Sequence, residues 1–142
     1  MSNNTIINKS ASVRRCLQRI TEEYVGHEID FLTNFSRQDS VMLNIQRACE
    51  QTIGIANNLV RTKKLGIPQN SGDAFKILAT NHIISDDLCT KMCAMIGFRN
   101  LIVHQYENVD MQVVVAVLTH ELPIFETFLQ AIFSFLILHN EL

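Results

Sequence analysis

Residues 99–106 read Arg99-Asn100-Leu101-Ile102-Val103-His104-Gln105-Tyr106, an R-x4-H-x-Y pattern set in an apolar run that begins at Ile96-Gly97-Phe98. Arginine is a permanent cation whose planar fork suits a phosphate. Histidine takes and gives a proton near neutral pH. Asn100 can orient His104 or hold a non-bridging oxygen, and the Tyr106 phenol can bond a substrate or accept a modification. Together these groups have the makings of metal-independent RNA cleavage. His104 would assist attack of a ribose 2′-OH on the adjacent phosphorus, and Arg99 would stabilise the charge that develops there.

Whether the groups can meet depends on the element that carries them. At about 100° per residue in an α-helix, Arg99 and Tyr106 share a face two turns apart, while Asn100 and His104 form an i,i+4 pair on a neighbouring face. One straight helix spreads the three key groups over roughly 160°. Convergence needs the reach of the arginine, an unwinding near Gln105, or a second copy of the chain. Spacing alone leaves two readings open: a phosphate site, or a structural hydrogen-bond cluster near a helix end.

The surrounding sequence predicts helices and little else. From Ile6 to about His27, apolar Val13, Leu17, Ile20 and Tyr24 recur at spacings of four and three. Residues 29–35 read as a short apolar turn. From Asp39 to Leu65 one stripe runs through Val41, Ile45, Ala48, Cys49, Thr52, Ile55, Ala56 and Leu59, with Asp39-Ser40 as the expected N-cap and Gly66 and Pro68 as the stop. A loop over 69–73 and a short helix over 74–79 follow. Ser85 is an N-cap candidate for the helix that leads into the motif, with Asp86 and Asp87 in its first turn. Asp110 is expected to cap a last helix, Met111 to about His139, which Pro123 should kink. Phe125, Phe128, Phe133 and Phe135 wrap much of that helix, enough for both a core and an interface. The expectation is a single all-α domain over 1–142, an antiparallel bundle of four or five helices.

Composition agrees. The 142 residues are 47% hydrophobic and 18% charged, with 5 Gly and 2 Pro, which argues against a turn-rich all-β fold. The net charge of −2 is not that of a protein that coats nucleic acid by charge alone. The cations are concentrated in the N-terminal half, where Arg61, Lys63 and Lys64 form a candidate RNA contact; Arg14, Arg15 and Arg19 read first as a solvated face. The polar N-terminus and four scattered cysteines suggest a reducing cytoplasm, and Val113 to Leu138 is too interrupted by polar residues for a membrane span. Cys89 and Cys93 share a helix face, but a metal would need further ligands, so no metal is expected.

The motif, followed by Glu107-Asn108-Val109-Asp110, resembles the signature of the HEPN-domain toxins of the HepT type, R-x4-6-H with H-x-Y and a following Val-Asp helix start. The resemblance extends over about residues 30–138. Asn44-Ile45-Gln46-Arg47-Ala48-Cys49-Glu50-Gln51-Thr52-Ile53 is similar to the family's long second helix, and Leu65-Gly66-Ile67-Pro68 and Asp73-Ala74-Phe75-Lys76-Ile77-Leu78 sit where the family places them. The resemblance implies a homodimeric helical fold with the motifs meeting at the dimer cleft. It implies a growth-arresting endoribonuclease that needs no metal or cofactor, with Arg99 and His104 catalytic and Asn100 supporting. It also implies a minimal nucleotidyltransferase (MNT-domain) antitoxin that transfers AMP from ATP to Tyr106, alone or within a larger hetero-oligomer. Two other classes stay in view: a non-catalytic helical module that binds such a nucleotidyltransferase, and a plain helical scaffold.

Overall fold

The computed structural model describes residues 3–142, and among these every regular element is helical. α1 (Asn3–Tyr24) packs antiparallel against α3 (Phe35–Thr62), with the single turn α2 (Glu28–Phe31) between them. α4 (Asp73–Thr80) and α5 (Asp86–His104) follow, and α6 (Met111–Ala116) and α7 (Ile124–Leu138) complete the bundle. The all-α expectation therefore stands.

The core is built from one stripe of each long helix. Val13 and Ile20 of α1, Ile45, Ala48, Ile55 and Leu59 of α3, and Met92, Met95 and Ile96 of α5 are buried in one cluster, with α3 in contact with both other helices. Phe75 of α4 and Phe128 of α7 stack edge to face at 5.4 Å, a geometry that aligns the positive ring edge with the negative face. Phe125 and Phe128 are fully buried, whereas Phe133 and Phe135 pack only partly on the core.

Local chemistry sets the boundaries. Ser85 caps α5, its Oγ accepting from the Leu88 N–H at 3.1 Å, and Asp110 caps α6, accepting from the Gln112 N–H at 2.8 Å. The start of α3 departs from expectation. Its N-cap is Asn34, whose side chain accepts from the Arg37 N–H at 3.1 Å, so Asp39 lies inside the helix, free for another task. Residues 28–31 are helical rather than a plain turn, and Phe31 is buried edge-on against Tyr24 at 5.1 Å. α3 ends at Thr62, ahead of Gly66: Lys64 takes the left-handed conformation (φ 55°) and the Leu65 N–H reaches back to the Val60 carbonyl at 2.9 Å.

Pro123 bends the last helix by 41°. It has no N–H for the Thr119 carbonyl and its ring crowds that oxygen. The turn before it, Val117–Glu121, widens to π geometry, with the Leu122 N–H bonding the Val117 carbonyl at 3.1 Å. Among the described residues no single helix is long and apolar enough to cross a membrane, and Phe125, Phe128, Leu129, Ile132 and Leu136 of the bent pair are buried in the core.

Candidate active site

α5 carries the motif to the edge of the bundle. Met92, Met95, Ile96 and Ile102 are buried and fix its rotation, which leaves Arg99 and Asn100 half-buried and His104 exposed on its last turn. Gln105 then leaves helical geometry (φ −137°, ψ 41°), and Tyr106 opens a 3₁₀ turn, Tyr106–Asn108, anchored by buried Val109. The chain thus unwinds at Gln105, one of the routes by which the motif groups can be re-aimed. The apolar residues of the motif divide: Ile102 is 1% exposed, Leu101 37% and Val103 41%.

Each of two motif groups meets a carboxylate of α3. Arg99 Nη2 donates to Glu50 Oε2 at 3.0 Å and Nη1 to Asn100 Oδ1 at 2.9 Å, while Nε is buried with no partner. Asn100 therefore serves Arg99 and not His104. The Tyr106 hydroxyl donates to Asp39 Oδ1. Burial, and then the Asp39 carboxylate, push the phenol pKa up to about 12. His104 stands roughly 140° around the helix from Arg99. A single chain thus joins Arg99, Asn100 and Glu50, and separately Tyr106 and Asp39, and holds His104 on another face.

Asp39 and Glu50 are the site residues that reading the sequence alone missed. Their spacing is the signal that was available. Eleven residues are about 1,100° of helix, within about 20° of three full turns, so both carboxylates fall on one stripe about 16 Å apart along the axis.

Beside that stripe runs a groove of about 890 Å³ between α1 and α3, whose lining includes Arg15, Arg19 and Arg47 as well as Asp39 and Glu50. Arg14 points elsewhere and is held by Glu126 of α7 through Nε at 3.2 Å and Nη2 at 2.8 Å. Arg61 and Lys64 line a different cavity with Lys9, at the far end of α3, and Lys63 pairs with Glu141. Arg61 lies eleven residues beyond Glu50, about 16 Å along the helix. The Cys89 thiol is pushed up to about 11, chiefly by burial, so it behaves as a small apolar group.

Residues 13–132 match the family described as ribonuclease HepT-like. The chain is 45% identical over 130 residues to the mRNA nuclease HepT of Shewanella oneidensis, covering 92% of this chain and 97% of that one. It is 25% identical over 112 residues to the tRNA nuclease HepT of Aphanizomenon flos-aquae, covering 79% of this chain and 76% of that protein. Among solved structures it is similar to the tri-AMPylated Shewanella oneidensis HEPN toxin in complex with MNT antitoxin, with TM-score 0.89 and 44% identity over 93% of this chain and 98% of that chain. The cytosolic protein YutE of Bacillus subtilis shares the fold at TM-score 0.73 with 13% identity, covering 93% of each chain.

Proposed function

Because the chain belongs to the HepT-like ribonuclease family, we propose that it is the endoribonuclease toxin of a HEPN/MNT pair, acting in the cytoplasm through Arg99 and His104 and silenced by AMP transfer to Tyr106. The observation that carries this reading is the pairing of Arg99 and Tyr106 with two carboxylates on one stripe of α3, with Tyr106 42% exposed and open to a modifying enzyme.

His104 faces away from Arg99 within one chain, and the exposed apolar residues Leu101 and Val103 flank it. Both features favour a homodimer, in which a two-fold axis sets the motif of one copy against that of the other. Such a dimer supplies two imidazoles. One takes the 2′-OH proton as that oxygen attacks the adjacent phosphorus; the other protonates the departing 5′-oxygen. The products are a 2′,3′-cyclic phosphate and a 5′-hydroxyl, and no metal is needed. Arg99 stabilises the charge on the phosphoryl oxygens, and Asn100 holds the guanidinium in position.

The groove with Arg15, Arg19 and Arg47 gives the RNA backbone a track beside the motif. Arg61, Lys63 and Lys64, at the other end of α3, serve at most a longer RNA that runs the length of the molecule. AMP on Tyr106 brings bulk and negative charge to the edge of the same site and competes there with the RNA phosphates. The partner is an MNT-domain nucleotidyltransferase that uses ATP.

The test is expression of the chain alone beside Arg99→Ala and His104→Ala. The parent should arrest growth and both variants should not. Purified parent should cleave RNA in EDTA and leave 2′,3′-cyclic ends. Arrest that survives both substitutions removes the catalytic assignment, and loss of cleavage in EDTA removes the mechanism. A protein that binds the nucleotidyltransferase yet leaves RNA intact belongs instead to the class of non-catalytic binding modules.

A further inference from the structure

The phenol of Tyr106 is a poor nucleophile as it stands. With its pKa pushed up to about 12, roughly one molecule in 100,000 is ionised at pH 7. Attack on a phosphoryl group therefore needs the proton to leave during the step. The hydroxyl already donates to a carboxylate of its own chain, Asp39 Oδ1. Asp39 is not spent elsewhere: it is not the cap of α3, and it joins no ion pair among the described residues. Both partners are exposed, so an enzyme can reach them without unfolding the bundle.

We propose that Asp39 is the general base for AMP transfer onto Tyr106, so that the chain brings to its modifying enzyme both the nucleophile and the proton acceptor. This rests on the reading of Tyr106 as the AMP acceptor. In the step, Tyr106 Oη forms a bond to the α-phosphorus of ATP, the bond from that phosphorus to the α,β-bridging oxygen breaks, and pyrophosphate leaves with the bond's electrons. The phenolic proton passes to Asp39 Oδ1 and is later released to water. A protein kinase places such an aspartate in the enzyme, where it accepts the proton of the substrate hydroxyl; here it stands in the substrate. The other charged groups that line the same groove are Arg15, Arg19 and Glu22 from α1 and Arg47 and Glu50 from α3, with Glu107 adjacent to Tyr106 in the chain.

The competing account is that the Asp39–Tyr106 bond merely pins the turn after α5. Asp39→Asn separates the two, because asparagine keeps an acceptor oxygen of the same size but cannot take the proton. The purified full-length chain is mixed with its MNT nucleotidyltransferase and ATP under single-turnover conditions from pH 6 to 9, and AMP addition is followed by intact mass. Each variant is read as a ratio to the parent, so that titration of the nucleotidyltransferase cancels.

Asp39→Asn should be slowed about 100-fold or more at pH 7. Its ratio to the parent should climb about tenfold per pH unit as hydroxide replaces the missing base. Asp39→Glu should recover a pH-independent ratio. A parental rate in Asp39→Asn, or a slow rate whose ratio is flat with pH, overturns the base role. Tyr106→Phe should take no AMP. An adduct that persists in Tyr106→Phe overturns the acceptor reading itself, whatever Asp39 does.

Discussion

Glu50→Gln is the perturbation that most directly tests how Arg99 is held. The ion pair spans 3.0 Å, with the Arg99 side chain 23% and the Glu50 side chain 41% exposed. Coulomb's law at that separation gives about 1.4 kcal/mol in water and about 5.5 kcal/mol at an effective dielectric of 20. Solvent screening and side-chain entropy take most of this back for a pair with one partner so exposed, which leaves about 1 kcal/mol or less. Glutamine retains an oxygen for the Arg99 Nη2–H. The fold should therefore lose no more than about 1 kcal/mol in urea denaturation.

Function should move the other way. A phosphate on the free side of the guanidinium lies about 7 Å from the Glu50 carboxylate, a repulsion of about 0.6 kcal/mol in water. Removing that charge should raise kcat/KM for a short RNA about threefold at low salt. The gain should shrink towards 0.15 M salt, where the Debye length of about 8 Å approaches the same distance. The assay is initial-rate cleavage of a labelled oligonucleotide across a salt series. A tenfold fall in kcat/KM with the fold intact would refute the counter-ion account and make Glu50 part of the catalytic apparatus.

Two further expectations follow from packing and titration. Phe128→Ala should cost about 3–5 kcal/mol by chemical denaturation, because the ring is fully buried and edge-on to Phe75, so its removal leaves a cavity between α4 and α7. Alkaline titration of tyrosine absorbance should show one phenol titrating near 12, absent in Tyr106→Phe. The raised folded-state value means that this group stabilises the fold fully below pH 10, and that the contribution is lost as pH rises from 10 towards 12.

What was legible in the sequence was local. Ser85 and Asp110 cap as residue type predicts, and Pro123 bends its helix because its missing N–H and bulky ring act wherever it sits. Unwinding near Gln105 was one of three routes the spacing left open for bringing Arg99, His104 and Tyr106 together, and the chain does leave the helix there. The start of α3 was missed because Asn34 and Asp39 are both good N-caps, and the apolar stripe of α3 does not choose between them. The arginines could not be sorted either. Arg14 is taken by Glu126, 112 residues away, while Arg15 and Arg19 remain on the groove. The carboxylates that hold Arg99 and Tyr106 depend on how α5 lies across α3, a tertiary register that no local pattern encodes.

That register couples the two halves of the site. From Arg99 to Tyr106 is seven residues, about 10 Å if fully helical, whereas Glu50 and Asp39 stand about 16 Å apart along α3. The difference is taken up by the length of the Arg99 side chain and by the exit from the helix at Gln105, after which Tyr106 swings out to reach Asp39. The exit from the helix at Gln105 is the backbone geometry in which the phenol meets that carboxylate. One additional residue between positions 39 and 50 would rotate Asp39 about 100° away from Tyr106 while Glu50 stayed on Arg99. Because carboxylates of α3 hold both the cation and the phenol, its helical phase sets both contacts at once, and under the proposed function it ties the capacity to act on a phosphate to the capacity to be modified.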